Sequence, residues 1–251
     1  WGVGLPPASD NQGNWPVMGP LLGDPALKPA SANILDAFSH LREVLAIRRS
    51  TPLFRLRTAA DINSRVRFHN TGPSQIPGLI VMSIADSNGD LDRRYSMAVV
   101  LFNADDQSHN FQAAAFTGKP FVLHPVLAAS HDAVVRTASF NIAAGSFSTP
   151  ARTTAVFLAR RSLGDQILLL AGDVDKLVAA GTLNAGQGNA LRAKLDAALK
   201  KLEKSDKKTA GNQLQAFINQ VQAFVNAGIL TAAQGQVLIA EANSIIGQLG
   251  L

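Results

Sequence analysis

Two stretches of this 251-residue chain repeat each other 47 residues apart: LVAAGTLNAGQGNAL (Leu177–Leu191) and FVNAGILTAAQGQVL (Phe224–Leu238). Each copy reads as the end of a helix, a glycine suited to a left-handed C-cap (Gly181, Gly228), an apolar residue, and a new helix start. Asn184 with Gln187, and Thr231 with Gln234, have capping-box spacing. From Leu163 onward the apolar pattern is helical throughout. A single helical hairpin cannot bury its apolar stripe, so the duplication predicts a four-helix module over roughly Gly164–Leu249, within a domain at 162–251.

A second long helix is predicted far upstream. In SANILDAFSHLREVLAIRRSTPLFRL, Ile34, Phe38, Leu41 and Leu45 recur at spacings of four, three and four, which places them on one face. Ser31 is the expected N-cap. Arg48 and Arg49 suit the negative end of the helix dipole, and Pro52 forces Thr51 into an extended conformation. Before this helix, Trp1–Pro29 is rich in Gly and Pro without periodicity and reads as loop. The chain opens at Trp1 with no initiator Met or signal peptide, which suggests a piece of something longer. After the helix come short β-rich runs. Strands are expected at Leu79–Ala85, Tyr95–Phe102, Pro120–Pro125, Ser139–Ile142 and Thr153–Ala159, with a turn at Asn88-Gly89. Their spacing suggests a small antiparallel sandwich.

Composition narrows the chemistry. Zero cysteines exclude disulfides, thiol nucleophiles and thiolate metal sites. A net charge of +5 permits an anionic partner, yet the only basic cluster, Lys200, Lys201, Lys204, Lys207 and Lys208, suits a solvated helix junction, so no nucleic-acid partner is expected. No apolar run reaches the ~20 residues that span a bilayer. The five histidines fall at no ligand spacing. Asp86, Asn88, Asp90 and Asp92 alternate in DSNGDLD, a pattern whose oxygens can converge on Ca²⁺. The glycine is misplaced for an EF-hand and no Glu closes the loop, so a solvated hairpin turn is the better reading. No nucleophile elbow, phosphate-binding loop or zinc motif is present, and no carboxylate pair suits acid–base work.

WGVGLPPASDNQGNW, ALKP, LREVLAIRRSTPLFRL, FHNTGPSQIPGLIVM, VVLFN and PARTTAVF, in that order, resemble the C-terminal third of a bacterial pullulanase, a debranching enzyme of the α-amylase superfamily. The resemblance covers about Trp1–Arg160, and NTGPSQIPGLIVM is its most specific part. The tail is similar to the FIMAH type of helical module, appended to bacterial extracellular proteins. The resemblance implies the last loop and helix of a (β/α)₈ barrel at 1–56, a C-terminal β-sandwich at 57–161 and the helical module at 162–251. It implies a retaining enzyme acting on α-1,6 linkages of pullulan, branched starch or glycogen, outside a bacterial cell. The family's nucleophile, acid/base and sugar-binding aspartate belong to earlier barrel strands, so no catalytic residue is carried over and no cofactor is required. Asp10, Asn11 and Trp15, with Trp1 nearby, become candidates for contacts on the substrate rim. The alternative is a non-catalytic glycan- or surface-binding accessory module. An aromatic content of 6% with a single tyrosine, Tyr95, argues against a dedicated stacking platform.

Overall fold

The computed structural model describes residues 5–250 and divides into two compact units, Trp1–Ser50 and Thr51–Leu251. Among its described residues the first holds the α-helices α1 (Ala8–Asn11), α2 (Trp15–Gly23) and α3 (Ser31–Ser50). The loop expected over Trp1–Pro29 is thus partly helical. Pro16 lies in the first turn of α2, where the missing N–H has no intrahelical partner in any case and the fixed φ favours the helix. Pro25 opens a 3₁₀ turn in the same way, with the Asp24 carboxylate accepting from the Ala26 N–H at 2.8 Å. Read as breakers, these prolines act as starters.

Helix α3 stops at Ser50, and Thr51 is extended before Pro52 as expected. Its start differs by one residue. Ser31 is already helical, and Ala30, just before it, donates its N–H to the Asn33 side chain at 2.9 Å. The side chain of Asn33 thus reaches back to the residue before the helix, as the third residue of a capping box does, and the serine is not the cap. The predicted stripe is exposed: Ile34 58%, Phe38 55%, Leu41 54% and Leu45 50%.

The second unit begins at Thr51, ahead of the boundary expected at residue 57. Helix α4 (Ala59–Arg65) is capped by Thr58, whose hydroxyl accepts from the Asp61 N–H at 3.1 Å. The strands follow: β1 (Val66–Phe68), β2 (Leu79–Ala85), β3 (Tyr95–Asn103), β4 (His109–Gln112) and β5 (Phe121–Leu123). After the one-turn helix α5 (Pro125–Ala128) come β6 (Ser139–Asn141), β7 (Ser146–Thr149) and β8 (Thr153–Arg160). They form two antiparallel sheets, β1-β2-β3-β8-β5 and β4-β7-β6. Their facing sides share a core of Val81, Val99, Leu101, Phe116, Phe121, Phe147 and Phe157, in which the Phe147 and Phe157 rings lie 4.9 Å apart.

The near-continuous apolar run in β3 has a two-sided cause. Val99 and Leu101 face the second sheet, while Ala98 packs with Ile84, Leu158 and Leu53 on the other side. Leu53, Phe54 and Leu56 cover that outer face, which is why residues 51–56 belong to the sheets.

The C-terminal part is helical: α6 (Leu163–Ala179), α7 (Ala185–Glu203), α8 (Lys207–Asn226) and α9 (Ala232–Gln248). Each helix packs on the next, and α9 returns to α6. Both predicted capping boxes are present, with Asn184 and Thr231 accepting from the N–H groups of Gln187 and Gln234. Gly181 and Gly228 take φ values of 72° and 71°, and the next residues, Thr182 and Ile229, donate back to the carbonyls of Leu177 and Phe224 at 3.0 and 2.9 Å. The repeat also sets a close helix crossing. A Cβ at Gly188 or Gly235 would lie 2.4 or 2.2 Å from Cγ2 of Val178 or Val225, the equivalent pairs of the two copies.

Candidate functional site

Sequence reasoning singled out two groups of residues, and the structure places them in different settings. The first lies in the N-terminal unit. Asp10 ends its side chain in solvent, with the Ser9 hydroxyl donating to its carboxylate at 3.0 Å. Asn11 is half-buried, donating to the Met18 sulfur at 3.9 Å and accepting from Asn14. Trp15, also half-buried, donates its indole N–H to the Pro6 carbonyl at 3.0 Å. Asp10 and Asn11 thus lie on α1 and Trp15 at the start of α2, with the polar groups of Asn11 and Trp15 engaged locally. What they offer a ligand is the Asp10 carboxylate and the open part of the indole. Trp1, the other aromatic candidate, lies outside the described residues.

The second group, in the β2–β3 connection, departs from expectation. Asp86 and Asp92 are buried, at 0% and 6% exposure, so the turn is not simply solvated. The Asp86 carboxylate accepts from the Arg65 guanidinium at 2.7 Å and from the N–H groups of Leu91 and Asp92 at 3.2 and 2.9 Å. Arg161 lies 3.6 Å away and also donates to the Asp86 carbonyl. Asp92 accepts from the Thr51 hydroxyl at 2.5 Å and from the N–H groups of Arg94 and Tyr95 at 2.8 and 3.1 Å. Buried carboxylates need such partners, and here backbone donors and arginines supply them. Asn88 and Asp90 stay exposed on the tip and bond to each other. The alternation that offered oxygens to Ca²⁺ turns two carboxylates, Asp86 and Asp92, inward as structural acceptors and leaves Asn88 and Asp90 outward. Among the described residues no group of three His, Asp or Glu side chains is placed to hold a metal ion.

Sequence reasoning missed what the same connection does on its other side. Gly89, at φ +71°, is buried against Leu169 of α6, whose Cδ1 would stand 2.5 Å from any added Cβ. Arg93 reaches from the connection to Asp173 on α6 at 2.6 Å and Glu241 on α9 at 3.3 Å. Lys176 adds a 3.0 Å contact to Asp173. Gln166 and Gln248 exchange side-chain amide bonds beside them, at 3.2 and 3.0 Å. A cleft of about 220 Å³ remains, bounded by Arg93, Arg94, Gln166, Glu241, Ser244 and Ile245 among others. Burial raises the pKa of Glu241, and the neighbouring Asp173 charge pushes the same way against the opposing pull of Arg93. No local pattern announces this cluster, because Arg93 lies 80 positions from Asp173 in sequence and farther still from Glu241.

Comparisons with known proteins bear on most of the chain. Residues 1–160 match the family described as alpha-1,6-glucosidases, pullulanase-type, C-terminal, and residues 169–247 match the FIMAH domain. A protein of Arabidopsis thaliana named pullulanase 1, chloroplastic, is 45% identical over 168 residues, covering 64% of this chain and 17% of that protein. A pullulanase of Klebsiella pneumoniae is 28% identical over 159 residues, covering 62% of this chain and 14% of its own length. The crystal structure of the Klebsiella pneumoniae pullulanase complexed with maltotriose aligns with a TM-score of 0.55 at 30% identity, over 63% of this chain and 15% of that one. The chain therefore spans less than a fifth of the length of these relatives.

Proposed function

Because the chain belongs to the family of pullulanase-type α-1,6-glucosidase C-terminal regions, we propose that it serves a starch- and pullulan-debranching hydrolase as its C-terminal support and not as its catalytic centre. In this reading residues 1–56 are the last loop and helix of a (β/α)₈ barrel, the two sheets are the C-terminal sandwich, and the four helices are an appended module. The catalytic carboxylates of a retaining mechanism come from the rest of the enzyme, and Asp10, Asn11 and Trp15 border its glucan-binding rim.

The observation that carries this reading is α3. Four large apolar side chains on one face of a 20-residue helix are each at least half exposed. Covering such a side chain is worth roughly 1.5–3 kcal/mol, so a surface of this kind marks an interface. A barrel against which a final helix lies supplies the cover. The partner polysaccharide is an α-glucan, reached through the whole enzyme. Action outside a bacterial cell follows from the bacterial resemblance; no described helix is long and apolar enough to cross a membrane.

Reducing-sugar release from pullulan by the 251-residue chain alone tests the assignment. The expected result is none above buffer, with activity appearing when the same chain is joined to a pullulanase catalytic region. Release of maltotriose by the chain alone would place the chemistry within it.

A further inference from the structure

The helical module is not hung from the sheets on a loose linker. β8 ends at Arg160 and α6 begins at Leu163, and the capping box of Ser162 with Asp165 fixes the first turn. The β2–β3 connection grips the module at a second point, through Gly89 under Leu169 and through Arg93. One guanidinium thus serves two carboxylates on two helices, Asp173 of α6 and Glu241 of α9. Two carboxylates this close to one cation repel each other, and one proton between them removes the repulsion while leaving the arginine a full negative partner.

We propose that Arg93, Asp173 and Glu241 form a proton-controlled latch, which fastens the helical module to the β2–β3 connection more tightly in mildly acid solution than at neutral pH. The charged groups facing Glu241 are Arg93 and, across the cleft, Arg94 and Asp92 from the connection, and Asp173 and Lys176 from α6. Release of the module returns Glu241 to water and to its ordinary pKa. In the docked state burial, helped by the Asp173 charge, outweighs the pull of Arg93 and raises that pKa. The docked state therefore binds more protons, and docking strengthens as pH falls from neutral toward the ordinary glutamate range. Each unit of raised pKa shifts the docking equilibrium by about tenfold.

Hydrogen exchange of the full chain, followed by mass spectrometry and corrected for intrinsic rates, reads the latch at the connection (residues 86–94) and at the facing parts of α6 and α9. The wild type is expected to exchange several-fold more slowly there at mildly acid than at neutral pH. Glu241→Gln, which carries a permanently neutral amide, should be protected equally at both. Arg93→Gln should lose protection at neutral pH and regain part of it in acid. Wild-type protection that falls on mild acidification, or a Glu241→Gln chain as pH-sensitive as the wild type, would overturn the proposal. If Glu241→Gln does not fold, the carboxyl carbon resonance of Glu241 in the wild type decides: a midpoint at or below the ordinary glutamate value refutes the latch.

Discussion

Helices α3 and α8 are each 20 residues long, and their apolar faces meet opposite fates. On α8, Leu214, Phe217 and Val221 are fully buried and Phe224 is 9% exposed. On α3, the stripe from Ile34 to Leu45 stands half in solvent. Apolar residues recur at spacings of three and four in both, although α3 is the less sharply two-sided, with Leu35 and Val44 also apolar and exposed. What differs is the supply of a covering surface. α8 finds α7 and α9 beside it because the 47-residue repeat provides a second hairpin, so its core closes within the chain. Periodicity tells which side of a helix is apolar, but not what lies against it.

The largest test of this contrast is a pair of truncations. Phe217→Ala should destabilise the helical module by about 3–5 kcal/mol, since a cavity remains where a ring was. Phe38→Ala on α3 should stay within about 0.5 kcal/mol, as an exposed substitution does. Urea unfolding followed by circular dichroism measures both, and similar losses would break the comparison.

Acid offers a second contrast, because it acts on a buried group of the sheets that the helical core lacks. Burial holds the His124 pKa down at about 4, below its ordinary 6.5, and its Nδ1 accepts from the Val126 N–H at 3.2 Å, which requires the neutral ring. The unfolded chain takes up this proton first. The stability His124 gives the sheets is therefore complete above pH 6.5 and falls by up to about 3 kcal/mol as pH drops toward 4. His124→Asn, which keeps an acceptor at the cap, should flatten that part of the pH–stability curve. An unchanged slope would assign it elsewhere.

The repeat makes its own prediction. Gly235→Ala improves intrinsic helix propensity yet should cost about 1–3 kcal/mol, because the new methyl meets Val225. Adding Val225→Ala should recover most of the loss, and a lone Gly235→Ala that melts higher than wild type would show the crossing to be loose. The smallest effect on stability is expected from Phe38→Ser with Leu41→Ser. Unfolding should hardly move, while concentration-dependent light scattering should drop as the exposed stripe becomes polar.

These regions also show what could be read before the structure. β2 begins and ends where its β-rich run placed it, and β3 extends one residue beyond. The capping boxes and αL glycines of the repeat were legible because backbone chemistry dictates them locally. β4 and β7 were not, since HNFQ and SFST carry one apolar residue each and owe their pairing to Phe111 opposite Phe147. α1 and α2 were hidden by prolines that start helices as readily as they end them. The DSNGDLDRR connection was recognised as a turn, but its burial depends on Thr51, Arg65 and Arg161, and its grip on α6 and α9 depends on residues 80 or more positions away. Of the rim candidates, Asn11 and Trp15 have their polar groups engaged by Met18, Asn14 and Pro6, partners that the sequence did not announce.

Binding between this chain and a separately produced pullulanase catalytic region, measured by isothermal titration calorimetry, tests most directly whether α3 was shaped for a surface outside its own unit. The account predicts saturable one-to-one binding that Phe38→Ser with Leu41→Ser abolishes, while the fold measured by circular dichroism stays intact. Absence of binding by the folded wild-type chain, or binding indifferent to those two substitutions, would contradict it.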